Sequence, residues 1–264
     1  MREWLVDIRN CDVIRSRPLL QDINLQIAPF GHTAIIGPNG SGKSTLIRLL
    51  MRDIYPMMRR ENPPVNLFCG EGHWTQGDIR QRIALVSMKF ADYLLETGGL
   101  TVFDSVVSAH FGTYGFYKPE ALTAEMRAHT IAALELMQIA DMGERSIREL
   151  STGQLRKVLI ARAMVLRPKL LLLDEPSLGL DIAAQSDFLD YLKHTLSDAT
   201  VIMVTHHLEE ILPEIDHIVL MKQGRIFMHG PKAQVLTSEN MTALFDKPVK
   251  VEMNAEGLYA MRRL

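Results

Sequence analysis

Gly37-Pro38-Asn39-Gly40-Ser41-Gly42-Lys43-Ser44-Thr45 is the stretch from which most of this chain can be interpreted. It matches Gly-x4-Gly-Lys-[Ser/Thr], in which glycines let backbone N–H groups turn inward toward phosphate oxygens. The apolar run Thr33–Ile36 predicts a buried strand before it, and Leu46–Met51 predicts a helix after it. A plain glycine turn is the simpler alternative, but the strand and helix on either side favour phosphate binding. We expect Lys43 to reach the β- and γ-phosphates and Ser44 to ligate Mg²⁺.

Composition and charge exclude several classes of protein. Of the 264 residues, 47% are hydrophobic and 23% are charged, which is typical of a globular domain. The net charge of −2 argues against a protein that binds nucleic acid mainly through phosphate contacts. Residues 1–30 lack a signal-peptide pattern, and no apolar stretch reaches the roughly 18 residues of a membrane span. We therefore expect any role at a membrane to go through a partner.

Cysteine usage points to a reducing compartment. Cys11 and Cys69 lie far apart and do not form a Cys-x-x-Cys pair, so we expect reduced thiols in the cytosol.

Strand and helix patterns alternate along the chain, which predicts an α/β fold with a mainly parallel core sheet. Residues 89–165 favour helices almost throughout, and Gln223-Gly224 predicts a hairpin turn. The expected strands are Trp4–Ile8, Ile23–Ile27, Val65–Phe68, Ile83–Ser87, Leu170–Leu173 and Val201–Val204. The expected helices are Phe103–His110, Pro119–Gln138, Ser151–Ala163 and Ile182–Leu196, the last with Asp181 as its N-cap. Alternation at 249–252 indicates a terminal strand.

Two carboxylates follow a short, continuous apolar run. Asp174 and Glu175 come after Leu170–Leu173 and before Pro176, as at the end of a buried parallel strand. A carboxylate there can hold Mg²⁺, and the next can orient or deprotonate a water for in-line attack on a γ-phosphate. A helix-capping pair is the alternative, and the phosphate loop upstream favours the catalytic interpretation.

A third motif lies between the phosphate loop and the Asp174–Glu175 pair, and it has the sequence Leu150-Ser151-Thr152-Gly153-Gln154. With these three motifs in this order, the chain resembles the nucleotide-binding subunit of an ATP-binding-cassette (ABC) transporter. The family signature usually has the sequence Leu-Ser-Gly-Gly-Gln. A small hydroxyl residue at a helix start can present its O–H, backbone N–H groups and the helix dipole to an anion. The resemblance implies that Ser151, Thr152, Gly153 and Gln154 contact ATP held by a second copy of the chain, in a head-to-tail dimer. A plain N-cap at Ser151 is the alternative.

Two further positions follow from the resemblance. The stretch 177–181 resembles the D-loop, which implies that Asp181 lies at the dimer interface. His206 stands where the family places a histidine against the γ-phosphate, and we interpret His207 as its solvated neighbour. The implied catalytic set is Lys43, Glu175 and His206, with Ser44 and Asp174 as ligands of Mg²⁺.

The chain departs from the family pattern at three positions. Met88 replaces a Gln that contacts Mg²⁺, and a thioether is a poor ligand for that ion, so water or Ser87 is left to fill the place. Val13 or Ile14 stands where the family often stacks an aromatic ring on adenine. Thr152 replaces a glycine, and a β-branched residue restricts the backbone at that point.

The resemblance covers about residues 3–240 and implies a single ABC ATPase domain. Residues 1–88 and 166–240 would form the core with a β subdomain, 89–165 a helical subdomain, and 241–264 a C-terminal extension. A weaker similarity, carried by Gly77–Ser87 and Leu100–Ser108, is to solitary cassettes related to molybdenum transport.

The implied function is hydrolysis of ATP that drives transport through an integral membrane permease. The chain would then lie on the cytoplasmic face of the membrane, with Phe90, Tyr93, Leu94 and Leu95 as candidates for permease docking or for the helical core. Two alternatives stay open. One is a soluble cassette ATPase acting on nucleic acid, the ribosome or regulation, for which Arg48, Arg52, Arg59 and Arg60 are the one basic cluster. The other is a nucleotide-gated binding module that hydrolyses ATP poorly.

Overall fold

The computed structural model of the chain describes residues 4–72, 74–115, 117–178 and 182–264. The strands are β1 Val6–Ile14, β2 Pro18–Ile27, β3 Thr33–Ile36, β4 Val65–Phe68, β5 Ile83–Ser87, β6 Leu170–Asp174, β7 Thr200–Val204, β8 His217–Lys222, β9 Arg225–Pro231, β10 Val249–Met253 and β11 Tyr259–Arg263. The helices are α1 Lys43–Leu50, α2 Gln76–Arg82, α3 Met88–Thr97, α4 Val102–Val107, α5 Ala124–Leu136, α6 Thr152–Met164, α7 Ile182–Thr195, α8 Lys232–Val235 and α9 Ser238–Phe245. Short 3₁₀ helices occur at Ser108–Phe111, Pro119–Ala121, Ala140–Met142, Ile147–Glu149 and Leu208–Glu210. The expected α/β composition is confirmed.

The chain divides into two compact units, residues 1–74 with 192–264 and residues 75–191. In the first unit, β7, β3 and β8 are parallel neighbours, and β9 pairs antiparallel with β8. All residues of β3 and β7 are buried, as expected for parallel strands that are apolar throughout. The carboxyl ends of β3, β7 and β8 meet at one edge of this sheet, which is where ligands bind in open parallel sheets.

An antiparallel sheet with the order β2–β1–β4 completes most of the first unit. The strands β1 and β2 extend well beyond the short segments that the sequence predicted. The β8–β9 hairpin turns at Gln223 and Gly224, with φ angles of 50° and 77°. Two positive φ angles match the twist of a tight two-residue hairpin, so the prediction at this turn is confirmed.

The terminal strand indicated at 249–252 is also confirmed. It is β10, and it pairs with β11 in an antiparallel hairpin that the sequence did not predict.

The second unit contains the parallel pair β5–β6, packed against helices. The α6 helix contacts α4, α5 and β5, and most of its side chains are buried. It begins at Thr152 with Ser151 as its N-cap, as predicted.

The predicted helix start at Pro119 is wrong. Pro119 lies in a short 3₁₀ helix, and α5 begins at Ala124 with the Thr123 side chain as its N-cap. A hydroxyl that accepts from the Met126 N–H satisfies a helix-end amide, which proline at the first position does not. The predicted cap at Asp181 lies outside the described residues.

Candidate functional site

The phosphate-binding loop connects β3 to α1, and its glycines are required by shape. A Cβ on Gly37 would collide with the Met221 carbonyl oxygen and with Ser41 Oγ. Gly42 has φ 106°, and a Cβ there would lie 2.9 Å from the Leu20 side chain. Hydrogen bonds from Ser41 N to Pro38 O at 3.1 Å and from Gly224 N to Ser41 O at 2.9 Å fix the turn. The backbone can therefore wrap closely around a small anion.

Lys43 is the first residue of α1 and its ammonium lies over the loop. Its Nζ donates to the carbonyl oxygens of Gly37 at 2.7 Å and Pro38 at 3.2 Å. The Ser41 hydroxyl is buried and has no hydrogen-bond partner within the described part of the chain. These donors stand beside the start of a helix, where first-turn amides and the dipole favour negative charge. The loop therefore fits the phosphates of a nucleotide.

His206 follows β7 at the same sheet edge as the phosphate loop. β7 pairs with β3, and Thr205 N donates to Ile35 O at 3.3 Å. His206 is exposed and its ring lies 4.0 Å, centroid to centroid, from the ring of His207. The His207 side chain is 40% exposed and lies 3.5 Å from the Glu209 carboxylate.

Buried Glu210 helps to hold the segment around His206. The Thr205 hydroxyl donates to Glu210 Oε2 at 2.8 Å, and Thr205 Oγ1 accepts from His207 N at 3.0 Å. No signal in the sequence distinguishes Glu210 from the exposed Glu209, because only the fold decides which of two adjacent carboxylates points inward.

Asp174 and Glu175 lie at the end of β6, as predicted. Ser87, the last residue of β5, is the register partner of Asp174. Glu175 adopts φ 51°, which is uncommon for a residue with a side chain. The carboxylate and hydroxyl oxygens at these two strand ends are ligands of the kind that Mg²⁺ prefers.

Arg156 of α6 holds the turn that contains Glu175. Its guanidinium donates to Glu175 O at 2.9 Å and to Leu178 O at 2.7 Å, and the residue is only 2% exposed. The sequence analysis missed this residue. An arginine among the apolar residues of a helix is the signal that could have found it, because a buried charge needs fixed partners.

The segment Ser151–Gln154 forms a capping box at the start of α6. Ser151 Oγ accepts from Gln154 N at 3.3 Å, and Ser151 N donates to Gln154 Oε1 at 3.0 Å. Thr152 takes the first helical position with ordinary helical geometry, so its β-branch is accommodated. Ser151 and Thr152 are both exposed. Ser151 is therefore an N-cap, and its hydroxyl proton is left available for another acceptor.

The structure shows how far the side chains are buried at the positions that depart from the family pattern. Val13 is 3% exposed and packs in the core, whereas Ile14 is 48% exposed and lines a cleft of about 450 Å³. Ile14 is therefore the one of the two that can contact a base. Met88 is half-buried at the first position of α3, after buried Ser87.

The four docking candidates divide between core and surface. Leu94 is buried, while Tyr93 is 63% exposed and its ring lies 6.2 Å from that of Tyr114. Phe90 meets Tyr114 edge-on at 5.0 Å. None of the helices in the described ranges is both long enough and apolar enough to cross a membrane.

Comparison with known proteins identifies the family. Residues 20–178 match the family described as ABC transporter. The chain is 32% identical to the ABC transporter ATP-binding protein YlmA of Bacillus subtilis, over 92% of this chain and 91% of that one. It is 34% identical to the molybdenum import ATP-binding protein ModC of Albidiferax ferrireducens, over 82% of this chain and 56% of that longer one. The structure of cbiO1 from Clostridium perfringens, part of the ABC transporter complex cbiONQ, resembles it with a TM-score of 0.71 at 26% identity, covering 91% and 94% of the two chains.

The fold is thus that of a P-loop NTPase, with the glycine loop between β3 and α1. With 32% identity along nearly the whole of YlmA, the chain belongs to the ABC transporter family as an ATP-binding protein.

Proposed function

We propose that this chain hydrolyses ATP and uses the energy to drive transport through a separate membrane permease. The observation that carries the proposal is the phosphate loop, in which Gly37 has no room for a side chain and the Lys43 ammonium lies over the turn. The order of the remaining motifs along the chain supports it.

The proposed roles divide among few residues. Backbone amides of residues 37–45 and Lys43 bind the phosphates and stabilise the charge that develops during transfer. Glu175 orients or deprotonates the attacking water, and His206 contacts the γ-phosphate. Ser44 and Asp174 would hold Mg²⁺, which neutralises phosphate charge when bound. Ser87 offers an oxygen beside Asp174 that Met88 cannot supply.

We further propose that two copies form a head-to-tail dimer with two nucleotides between them. The exposed start of α6 supports this, because Ser151 keeps a donor while its oxygen caps the helix. Nucleotide binding would favour the closed dimer, and hydrolysis would reopen it, since the ligand has different contacts in the two states. Asp181 is proposed to lie at the same interface.

The exposed ring of Tyr93, with Tyr114 beside it, is the proposed contact for the permease, placing the chain on the cytoplasmic face of the membrane. A charge at this position should break an apolar contact without touching the core. We expect Tyr93→Asp to fold normally and to lose co-purification with a membrane protein encoded beside it. Equal recovery of the complex with Tyr93→Asp and wild type would rule out this docking site, and Tyr55→Asp, also exposed, is the matched control.

ATP hydrolysis by the purified chain is the direct test of the main proposal. Lys43→Ala removes the ammonium that lies over the phosphate loop, so we expect ATP to bind at least about tenfold more weakly, or about 1.4 kcal/mol, with no measurable turnover. Lys250→Ala, in the C-terminal hairpin, is the control for loss of a lysine and should behave as wild type. Phosphate release that is equal in wild type and Lys43→Ala would contradict the proposal. Tight binding by wild type without phosphate release would instead favour the poorly hydrolysing binding module.

A further inference from the structure

Two histidines face each other across the β8–β9 hairpin, away from the phosphate loop. His217 begins β8 and pairs with Thr33 at the start of β3, whereas the phosphate loop follows the opposite end of β3. His229 lies on β9, diagonally across from His217, because its register partner is Val219. His217 Nε2 and His229 Nδ1 are 3.3 Å apart, and the two rings are nearly perpendicular at 86°. None of the residues given a role in ATP hydrolysis belongs to this pair.

The hydrogen bonds of Thr33 decide which nitrogen of His217 carries its proton. The Thr33 hydroxyl donates to Gly31 O at 3.0 Å, and its oxygen lies 3.3 Å from His217 Nδ1. Since the single hydroxyl proton is used toward Gly31, Thr33 Oγ1 accepts from His217 Nδ1–H. The lone pair of neutral His217 is therefore on Nε2, the atom that faces His229. Burial lowers the pKa of His217, and the neighbouring His229 lowers it further, against the opposing effect of the Asp216 carboxylate.

The separation of the two nitrogens matches that of two ligands on one ion. Zn²⁺ binds imidazole nitrogen at about 2.0–2.1 Å with tetrahedral angles, which puts two such ligands about 3.3–3.4 Å apart. A histidine that ligates a metal commonly donates its other N–H to a protein oxygen, as His217 does to Thr33. Within the described residues, no third His, Cys, Asp or Glu joins the pair.

We propose that His217 and His229 form a two-histidine site for a borderline divalent cation such as Zn²⁺. Both imidazoles bind in the neutral form, His217 through Nε2 and His229 through Nδ1. Without the ion, His229 Nδ1–H donates to His217 Nε2. On binding, His229 loses its Nδ1 proton to water and takes up another at its own Nε2, so no net proton is released. His229 is exposed, and water completes the coordination. The bound ion links β8 to the edge strand β9.

The test is Zn²⁺ binding to the whole chain, measured by calorimetry at pH 7.5 without nucleotide, since ATP itself binds metal. We expect wild type to bind one more equivalent of Zn²⁺ than His229→Gln, and Zn²⁺ to raise the Tm of wild type more than that of His229→Gln. Because His229 is exposed, this variant should fold. His207→Gln, which changes one member of the neighbouring pair His206 and His207, is the matched control and should keep the equivalent that His229→Gln loses. An unchanged stoichiometry and Tm response in His229→Gln would overturn the proposal.

Thr33→Val tests the positioning role of Thr33 with little change of volume. It removes the acceptor of His217 Nδ1–H while leaving both ligands, so we expect the affinity of this site for Zn²⁺ to fall by about tenfold or more without loss of the equivalent. Unchanged affinity for Zn²⁺ in a normally folded Thr33→Val would overturn the tautomer assignment of His217, and with it the two-histidine site.

Discussion

Glu175→Gln is expected to bind ATP as tightly as wild type and to lose nearly all turnover. The substitution keeps the size of the side chain and the main-chain bond from Arg156, which goes to the Glu175 carbonyl rather than to its carboxylate. It removes only the charge that can orient or deprotonate a water. General-base contributions of this kind amount to about 10²–10⁴-fold in rate, so the loss in kcat should fall in that range.

Phosphate release and nucleotide affinity should be measured on the same preparation of Glu175→Gln. A trapped dimer on size-exclusion chromatography with Mg-ATP is a second expected result, because a closed state that cannot hydrolyse its nucleotide does not reopen. Glu256→Gln, an exposed acid near the C-terminus, controls for the loss of one negative charge. Wild-type steady-state turnover in Glu175→Gln would remove Glu175 from the proposed mechanism, and Asp174 would then be the next acid to test.

Arg156→Met is expected to have the largest effect on stability. The guanidinium is the donor to two main-chain oxygens, of Glu175 and Leu178, and it is almost wholly buried. Both bonds are part-buried, and leaving each acceptor without its donor costs about 1–3 kcal/mol, so the free energy of unfolding should fall by about 2–6 kcal/mol. Turnover should fall as well, because the same bond holds Glu175 at its positive φ.

Urea unfolding followed by circular dichroism measures the stability of Arg156→Met. The control is Arg167→Met, which changes an exposed arginine just after the same helix and should shift the free energy of unfolding by less than about 0.5 kcal/mol. Equal stability of Arg156→Met and wild type would show that the two hydrogen bonds from Arg156 to main-chain carbonyl oxygens make no net contribution to the free energy of unfolding. A stable variant with reduced turnover would separate the positioning of Glu175 from the stability of the fold.

Local features of the sequence were sufficient for most of the elements around the site. The strand at 83–87 and the cap at Ser151 were predicted at their observed positions, because a short apolar run and a hydroxyl before a helix act over a few residues. The start of α5 was not predicted at its observed position. Pro119 and Thr123 both suit a helix start, and the surrounding chain decides between them.

Contacts between distant segments explain what the sequence did not predict. Arg156 reaches Glu175 and Leu178, and Ser87 comes level with Asp174 only because β5 and β6 pair in that register. Likewise, Val13 and Ile14 are equivalent as apolar residues in the sequence, and only the direction of their side chains separates core from cleft.

The sequence alone determined that this chain has a glycine loop for phosphate between a strand and a helix, because conformational freedom and helix-end amides depend on residue type at fixed spacing. It also determined the order of the carboxylate pair, the signature segment and His206. The tertiary structure alone decided which side chains support them, such as Arg156, and that His217 meets His229. Those pairings depend on strand register and burial, which arise only when segments far apart in the chain pack together.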